Sequence, residues 1–149
     1  MSRRVYVVED HPVLRDAFTA LVAATDDLRV VGSAASAADA LAGLADADID
    51  VVLVDVSLGG ARGTAHGIDL VGAVHRRWPG LRMLVVSGHD EGLYAERAIS
   101  AGARGYLMKH EAGPGLIPAI RRVLAGEVAV SDRMQRLLPG NLLTPVPAL

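Results

Sequence analysis

The stretch Asp50-Val51-Val52-Leu53-Val54-Asp55-Val56-Ser57-Leu58-Gly59-Gly60 decides the fold, because a run of apolar, mostly β-branched residues ends at a carboxylate and then at glycines. Apolar runs without alternation are typical of parallel strands that helices cover on both faces. In such sheets, working residues lie just beyond the carboxyl ends of the strands. Asp55 stands at such an end, so it is either a functional carboxylate or the cap of an ordinary Asp-Gly turn.

Composition indicates one domain without cysteine chemistry. The 149 residues are 51% hydrophobic, which is enough to fill one core. A net charge of -2, with both signs scattered along the chain, provides no basic stripe for nucleic acid. The absence of cysteine excludes disulfides and a cysteine nucleophile. The chain shows no signal peptide or membrane-length apolar stretch, so a cytoplasmic protein without membrane contact is expected.

Strand-like and helical patterns alternate along the chain. The predicted strands cover residues 4–8, 28–34, 50–55, 82–87 and 105–109, and the predicted helices cover residues 12–22, 37–45, 67–78, 92–101 and 116–126. Ser36 is a plausible N-cap of the second helix, and Gly102 is a plausible C-terminal cap of the fourth. The pattern predicts an α/β, flavodoxin-like fold: a doubly wound five-stranded parallel sheet of order 2-1-3-4-5 with five helices.

Polar residues recur where the predicted strands end. Glu9 and Asp10 follow the first strand, Asp55 ends the third, Ser87 ends the fourth and Lys109 ends the fifth. In the order 2-1-3-4-5 the first and third strands are neighbours, about 4.8 Å apart, so three carboxylates share one cleft. At about 5 Å and an effective dielectric near 20, each pair of charges repels by about 3 kcal/mol. The cleft therefore requires positive charge.

Lys109 supplies one positive charge, but hard carboxylate oxygens beside a backbone carbonyl are the usual setting for Mg²⁺. The other groups then suit phosphoryl chemistry. A carboxylate nucleophile can form an acyl phosphate, while a metal and an ammonium group neutralise phosphoryl oxygens. The arrangement predicts phosphoryl transfer onto Asp55.

These motifs, taken in order, resemble the receiver domain of two-component response regulators (CheY-like). The matching segments are Val7-Val8-Glu9-Asp10-His11-Pro12, Asp55, Ser87-Gly88-His89 and Ala101-Gly102-Ala103-Arg104-Gly105-Tyr106-Leu107-Met108-Lys109. The first and last of them resemble in particular the branch that joins a receiver to a LuxR-type (NarL/FixJ-like) helix-turn-helix. The resemblance covers about residues 3–126.

The resemblance implies a role for each matching residue. Glu9, Asp10 and Asp55 would bind Mg²⁺ with the backbone of Ser57, Asp55 would accept phosphate from a sensor histidine kinase, and Ser87 and Lys109 would contact the phosphoryl group. Tyr106 matches the aromatic switch residue, which in the family turns inward as the Ser or Thr moves. The alternative for Tyr106 is an ordinary half-buried strand tyrosine.

The implied function is two-component signal transduction through a phosphorylation-dependent homodimer that controls an output domain, transcriptional in the related branch, or a protein partner. Enzymatic activity would be limited to self-catalysed transfer to Asp55 and autodephosphorylation. The rival hypothesis is a Mg²⁺-dependent aspartyl-phosphate phosphotransferase or phosphatase-type hydrolase. Its best-known forms have a second aspartate two residues after the nucleophile, where this chain has Ser57.

Two regions depart from the resemblance. Gly59 replaces the family's proline, and the segment from Gly60 to His66 carries extra residues that border the predicted site. After the receiver domain at residues 1–126, residues 127–149 have the proline-rich composition of a linker or tail. Because this tail is too short for a three-helix DNA-binding head, the chain alone is not expected to bind DNA. The five histidines are expected to be surface or loop residues rather than metal ligands. His89, two residues after Ser87, is the exception, because its position predicts that it overhangs the phosphoryl site and affects attack by water.

Overall fold

The computed structural model describes residues 2–55, 64–88 and 91–140. Five parallel strands form one sheet in the order β2-β1-β3-β4-β5, which confirms the predicted topology. The strands are β1 (Arg3–Val8), β2 (Leu28–Ala34), β3 (Val51–Asp55), β4 (Arg82–Ser87) and β5 (Gly105–Met108). The helices are α1 (Pro12–Ala23), α2 (Ala37–Ala45), α3 (Thr64–Arg77), α4 (Glu91–Ala101), α5 (Ala112–Leu124) and α6 (Asp132–Leu137), and a 3-10 turn (Lys109–Glu111) precedes α5.

The core lies in two layers, one on each face of the sheet. Successive strand residues point to opposite faces, so Val5 and Val7 of β1 belong to one layer while Tyr6 and Val8 belong to the other. Helices α1 and α5 cover the first face, and α2, α3 and α4 cover the second. All five residues of β3 are buried, as its continuous apolar run predicted. In the described parts of the chain, every helix is too short or too polar to cross a membrane.

Local signals set several helix ends. Pro12 occupies the first turn of α1, where its missing N–H costs nothing. The Ser36 side chain accepts a hydrogen bond from the Asp39 N–H at 3.1 Å, which confirms the predicted N-cap of α2. Gly102 has a φ of 127° and ends α4, as predicted, in a conformation that favours glycine.

Several element boundaries differ from the sequence prediction, among them the start of α5 at Ala112 rather than Leu116. Helix α3 begins at Thr64 rather than Gly67, because a glycine inside a helix costs only about 1 kcal/mol and does not mark a helix start. Lys109 opens the 3-10 turn rather than ending β5, because the pairing of β5 stops at Met108, opposite the last residue of β4. The lysine therefore projects from a tight turn at the edge of the sheet.

The residues after α5 stay on the domain. Gly126, with a φ of 89°, lets the chain reverse, and Val128, Ala129 and Val130 are buried beside β5. The Tyr106 N–H donates to the Ala129 carbonyl, and the Ala129 N–H donates to the Arg104 carbonyl, both at 2.9 Å. This segment thus adds a short bridge to the edge of the sheet. The boundary predicted after residue 126 rested on the linker-like composition of the following residues. In the structure the chain continues to pack on the domain as far as Leu138.

Helix α6 anchors this segment. Its N-cap Ser131 accepts a hydrogen bond from the Met134 N–H at 3.1 Å, and Met134 is only 1% exposed. Met134 and Leu138 join the core layer that contains Tyr106 and the buried residues of α4. Isolated apolar residues in a linker-like sequence therefore become core residues through contacts with α4.

We expect Met134→Ala to lower the free energy of unfolding by roughly 2–4 kcal/mol, because it leaves a cavity in the core. Arg133→Ala, an exposed change in the same helix, is the matched control and should cost less than about 0.5 kcal/mol. Urea unfolding monitored by circular dichroism measures both. Equal stabilities for the two variants would show that α6 contributes nothing to the fold.

Candidate functional site

Strand register brings the ends of β1 and β3 together. Val8 lies opposite Val54 in the parallel pair, so Glu9 and Asp55 are the next residues along two adjacent strands. Asp55 lies opposite Val86 of β4, which places Ser87 one residue further along the same edge. Glu9, Asp55 and Ser87 therefore lie together at the carboxyl edge of the sheet.

The acidic residues form a compact and largely buried cluster. Glu9 is 0% exposed and Asp55 is 1% exposed. Ligand atoms from Glu9, Asp10, His11 and Asp55 all lie within 4.8 Å of one another. The cluster also has the hard oxygen donors that Mg²⁺ prefers. Glu9 Oε1 is buried and forms no hydrogen bond to any described residue, so the donor set fits a divalent cation.

Lys109 reaches the cluster from the 3-10 turn. Its Nζ lies 3.3 Å from Asp55 Oδ1 and 3.8 Å from Glu9 Oε1. The ammonium group therefore faces both buried carboxylates, and it supplies one positive charge against two negative ones. The same position would place it beside any group attached to Asp55.

The pKa of the Glu9 carboxyl group reflects the electrostatics of the cluster. Burial, followed by the neighbouring Asp55 carboxyl group, raises the pKa of Glu9 from 4.5 to about 7. The hydrogen bond from the His11 N–H and the charge of Lys109 lower this pKa without offsetting the rise. The protein alone thus leaves negative charge at this edge only partly compensated.

His11 is a neighbour that the sequence prediction placed at the surface, away from any ligand set. Its Nδ1 lies 3.0 Å from Asp10 Oδ1 and 3.3 Å from Glu9 Oε2. Arg15 was also missed, and its guanidinium donates to the Glu9 carbonyl at 2.9 Å. The available signal was position: His11 follows the acidic pair directly, and Arg15 lies one helical turn later.

Ser87 lies on β4, the strand beside β3, and Tyr106 lies on β5, one strand further out. Ser87 is 0% exposed at the end of β4, opposite Met108. Tyr106 is 2% exposed, and its hydroxyl is shielded from solvent, so it is more deeply buried than a half-exposed strand tyrosine. Its switch role is still a prediction.

Some predicted features lie outside the described residues. They are Ser57 with its backbone carbonyl, residues 60–63 of the segment from Gly60 to His66, His89, and the end of the chain from residue 141. The predicted roles of these residues and of the long segment remain predictions. The described part of the site therefore consists of the ends of β1, β3, β4 and β5 with the turn that follows β5.

A doubly wound five-stranded parallel sheet with buried acidic residues and a lysine at its carboxyl edge is the architecture of CheY-like receiver folds. Comparison with known proteins agrees, because the family model described as "Response regulator receiver domain" matches residues 5–121. The chain belongs to this family, the receiver domains of two-component response regulators. This confirms the family resemblance.

The relatives are response regulators and transcriptional regulators. The response regulator GacA of Pseudomonas viridiflava is 33% identical over 91% of this chain and 61% of its own length. The DNA-binding transcriptional activator DevR/DosR of Mycobacterium tuberculosis is 34% identical over 93% of this chain and 62% of its own length. The chain thus spans about three fifths of these relatives. A LuxR-family response regulator structure from Aurantimonas sp. aligns with a TM-score of 0.83 and 28% identity, covering 92% of this chain and 95% of that one.

The raised pKa of Glu9 makes stability depend on pH when no divalent cation is present. Because the folded pKa of about 7 lies above the ordinary 4.5, Glu9 contributes stability below about pH 4.5 that is lost as pH rises through about 7. In the presence of a chelator, we expect the free energy of unfolding of the wild type to fall by on the order of 3 kcal/mol across this pH range, relative to that of Glu9→Gln.

Chemical denaturation at pH 5 and pH 8 measures this difference. Added Mg²⁺ should reduce the loss in the wild type, because a cation stabilises the ionised carboxylates. If the two proteins show the same pH dependence in chelator, Glu9 does not carry the excess charge.

Proposed function

We propose that Asp55 is the phosphoacceptor of this receiver and that a cognate sensor histidine kinase is its phosphodonor. One observation carries the proposal. The Asp55 carboxylate lies at the carboxyl end of β3, 1% exposed, with the Lys109 ammonium 3.3 Å away and Glu9 on the adjacent strand end. A nucleophilic carboxylate beside a fixed cation is suited to attack a phosphorus atom and to hold the product.

In the proposed reaction an Asp55 oxygen attacks phosphorus, a new P–O bond forms, and the bond to the donor's imidazole nitrogen breaks. With acetyl phosphate the bond to the acetate oxygen breaks instead, and acetate leaves. Lys109 neutralises charge on the transferred group, and the Ser87 hydroxyl donates a hydrogen bond to one of its oxygens. Autodephosphorylation is attack by water, which returns the Asp55 carboxylate and inorganic phosphate.

A divalent cation, Mg²⁺ by the chemistry of the donors, belongs to this proposal. Glu9, Asp10 and Asp55 would hold it together with the backbone carbonyl of Ser57. When bound, it supplies charge neutralisation for the carboxylates and for the incoming phosphoryl oxygens. The buried oxygens and the raised pKa of Glu9 support this assignment, since burial disfavours the ionised Glu9 carboxylate and a cation would offset that cost.

The hydrolase alternative gains no support from the described residues. The relatives are response regulators and transcriptional regulators rather than conventional enzymes. The place of a second acid/base aspartate, two residues after Asp55, is Ser57. We propose that chemistry at Asp55 serves signalling, with self-catalysed transfer and slow hydrolysis only.

For the output, we propose that Ser87 and Tyr106 act as the switch and that phosphorylation strengthens a homodimer. Tyr106 is buried on β5 in the core layer that contains Met134 and Leu138, and its N–H donates to the Ala129 carbonyl. A change at Ser87 can therefore bias an equilibrium that involves α4, β5 and residues 127–138. A cytoplasmic transcriptional output domain or a protein partner would respond, and residues 1–149 would not bind DNA by themselves.

We expect the chain to gain the mass of one phosphate when it is incubated with acetyl phosphate and Mg²⁺. The gain should vanish with Asp55→Asn, which removes the nucleophile, and with excess chelator, which leaves the carboxylates repelling the phosphate. Intact-protein mass spectrometry measures it. Asp16→Asn, an exposed change on α1, is the matched control and should gain phosphate normally.

An unchanged gain in Asp55→Asn would place the phosphate elsewhere. An unchanged gain in chelator would remove the cation from the proposal. The Asp55→Asn variant tests the nucleophile and the chelator tests the cation, so each assignment can fail without the other.

For the output, we expect light scattering over a wide concentration range to show a higher mass for the phosphorylated chain. Tyr106→Ala should take up phosphate yet lose most of this increase, whereas Tyr106→Phe, which preserves the packing of the ring, should respond more like the wild type. The phosphorylated sample should not retard duplex DNA at low salt, where phosphate contacts are strongest. Identical masses with and without phosphate would rule out dimer control, and a normal response of Tyr106→Ala would rule out the switch.

A further inference from the structure

We propose that His11 adds a nitrogen ligand to the cation site. The site would then bind Co²⁺ more tightly, relative to Mg²⁺, than carboxylates alone would. The inference rests on the proposed function for the location of the cation, but not on phosphoryl transfer. It concerns which cations the receiver accepts, and therefore which metals can support or block its phosphorylation.

The distances fit one coordination sphere. With metal–ligand bonds of about 2.1 Å, adjacent ligands of an octahedral site lie about 3.0 Å apart and opposite ligands about 4.2 Å apart. His11 Nδ1 is 3.0 Å from Asp10 Oδ1 and 3.3 Å from Glu9 Oε2. The ligand atoms of these three residues and Asp55 lie within 4.8 Å of one another. Small side-chain adjustments therefore suffice to bring all of them to one ion.

The chain holds His11 in this place through its backbone. Pro12 follows, and a residue before proline is restricted to extended conformations; His11 has φ -87° and ψ 115°. Its N–H donates to Glu9 Oε2 at 3.2 Å. His11 occupies the N-cap position of α1, yet its side chain makes no capping hydrogen bond. The imidazole therefore contacts the acidic residues and does not cap the helix.

A second observation points to a cation here. Glu9 Oε1 is fully buried, forms no hydrogen bond to any described residue, and has the Lys109 ammonium only at 3.8 Å. The His11 side chain is 68% exposed, so a cation can approach the cluster past it. Imidazole favours transition metals, whereas Mg²⁺ prefers oxygen ligands. A nitrogen among the carboxylates thus changes the preference between metals more than the affinity for Mg²⁺.

The alternative role for His11 is a hydrogen bond or ion pair to the carboxylates without contact to the metal. In that case its removal would change the affinities for all divalent cations in the same proportion, because only the local charge would change. A direct ligand changes them selectively. The comparison between metals, rather than the loss of one of them, therefore distinguishes the two roles.

The test is calorimetric titration of the metal-free protein, without an affinity tag, with Mg²⁺ and with Co²⁺. We expect His11→Gln to weaken Co²⁺ binding at least about tenfold, and to change Mg²⁺ binding less than about twofold. Removing a group that only hydrogen-bonds to a metal ligand already costs about tenfold or more in affinity. His75→Gln is the matched control, since His75 lies exposed in the last turn of α3, at the other end of the sheet. In the Mn²⁺-loaded wild type, pulsed EPR should show coupling to an imidazole nitrogen that His11→Gln lacks.

Proportional changes for Co²⁺ and Mg²⁺, no change for either, or a nitrogen signal that persists in His11→Gln would each overturn the assignment of His11 while leaving the cation site intact. If the wild type binds neither metal, both the cation site and the role of His11 are wrong. Uptake of phosphate on Asp55 with Mg²⁺ is measured separately, so its failure cannot be confused with a failure of the His11 assignment.

Discussion

The structure depends on one electrostatic constraint, which is that two buried carboxylates face each other across adjacent strands with a single lysine between them. The register that places Val8 opposite Val54 makes the approach of Glu9 and Asp55 unavoidable. Burial strengthens their repulsion, since water no longer screens it. Burial itself, followed by the neighbouring Asp55 carboxyl group, raises the pKa of Glu9 to about 7. A site that is unfavourable without added positive charge is one that gains stability from a cation, and we infer that this gain prepares Asp55 for an anionic phosphoryl group.

Much of the fold could be predicted from the sequence, because strand and helix periods alternate and parallel sheets place polar residues at one edge. The gathering of Glu9, Asp55 and Lys109 follows from strand order alone. The contacts of His11 did not follow, because they depend on the backbone direction before Pro12. The burial of Met134 could not be predicted from the sequence either. Helix α6 has six residues, too few to show a repeating apolar pattern, and its partners on α4 lie far away in the sequence.

Residues 127–138 pack against β5 and α4. Tyr106 lies in the same core layer as Met134 and the buried residues of α4, and its backbone is bonded to Ala129. Arg122 of α5 also holds this segment, donating to the Val128 carbonyl at 3.1 Å. A shift of the tyrosine would therefore disturb packing that residues 127–138 complete. This packing couples residues 127–138 to β5 and α4.

The most direct test of the central claim locates the phosphate chemically. Borohydride reduces an aspartyl phosphate to homoserine, and peptide mass spectrometry identifies the converted residue. After treatment with acetyl phosphate and Mg²⁺, we expect homoserine at residue 55 and unmodified Glu9 and Asp10, because Asp55 is the carboxylate closest to Lys109. Reduction at Glu9 or Asp10, or a stable phosphate that leaves residue 55 unreduced, would contradict the assignment of Asp55 as the phosphoacceptor.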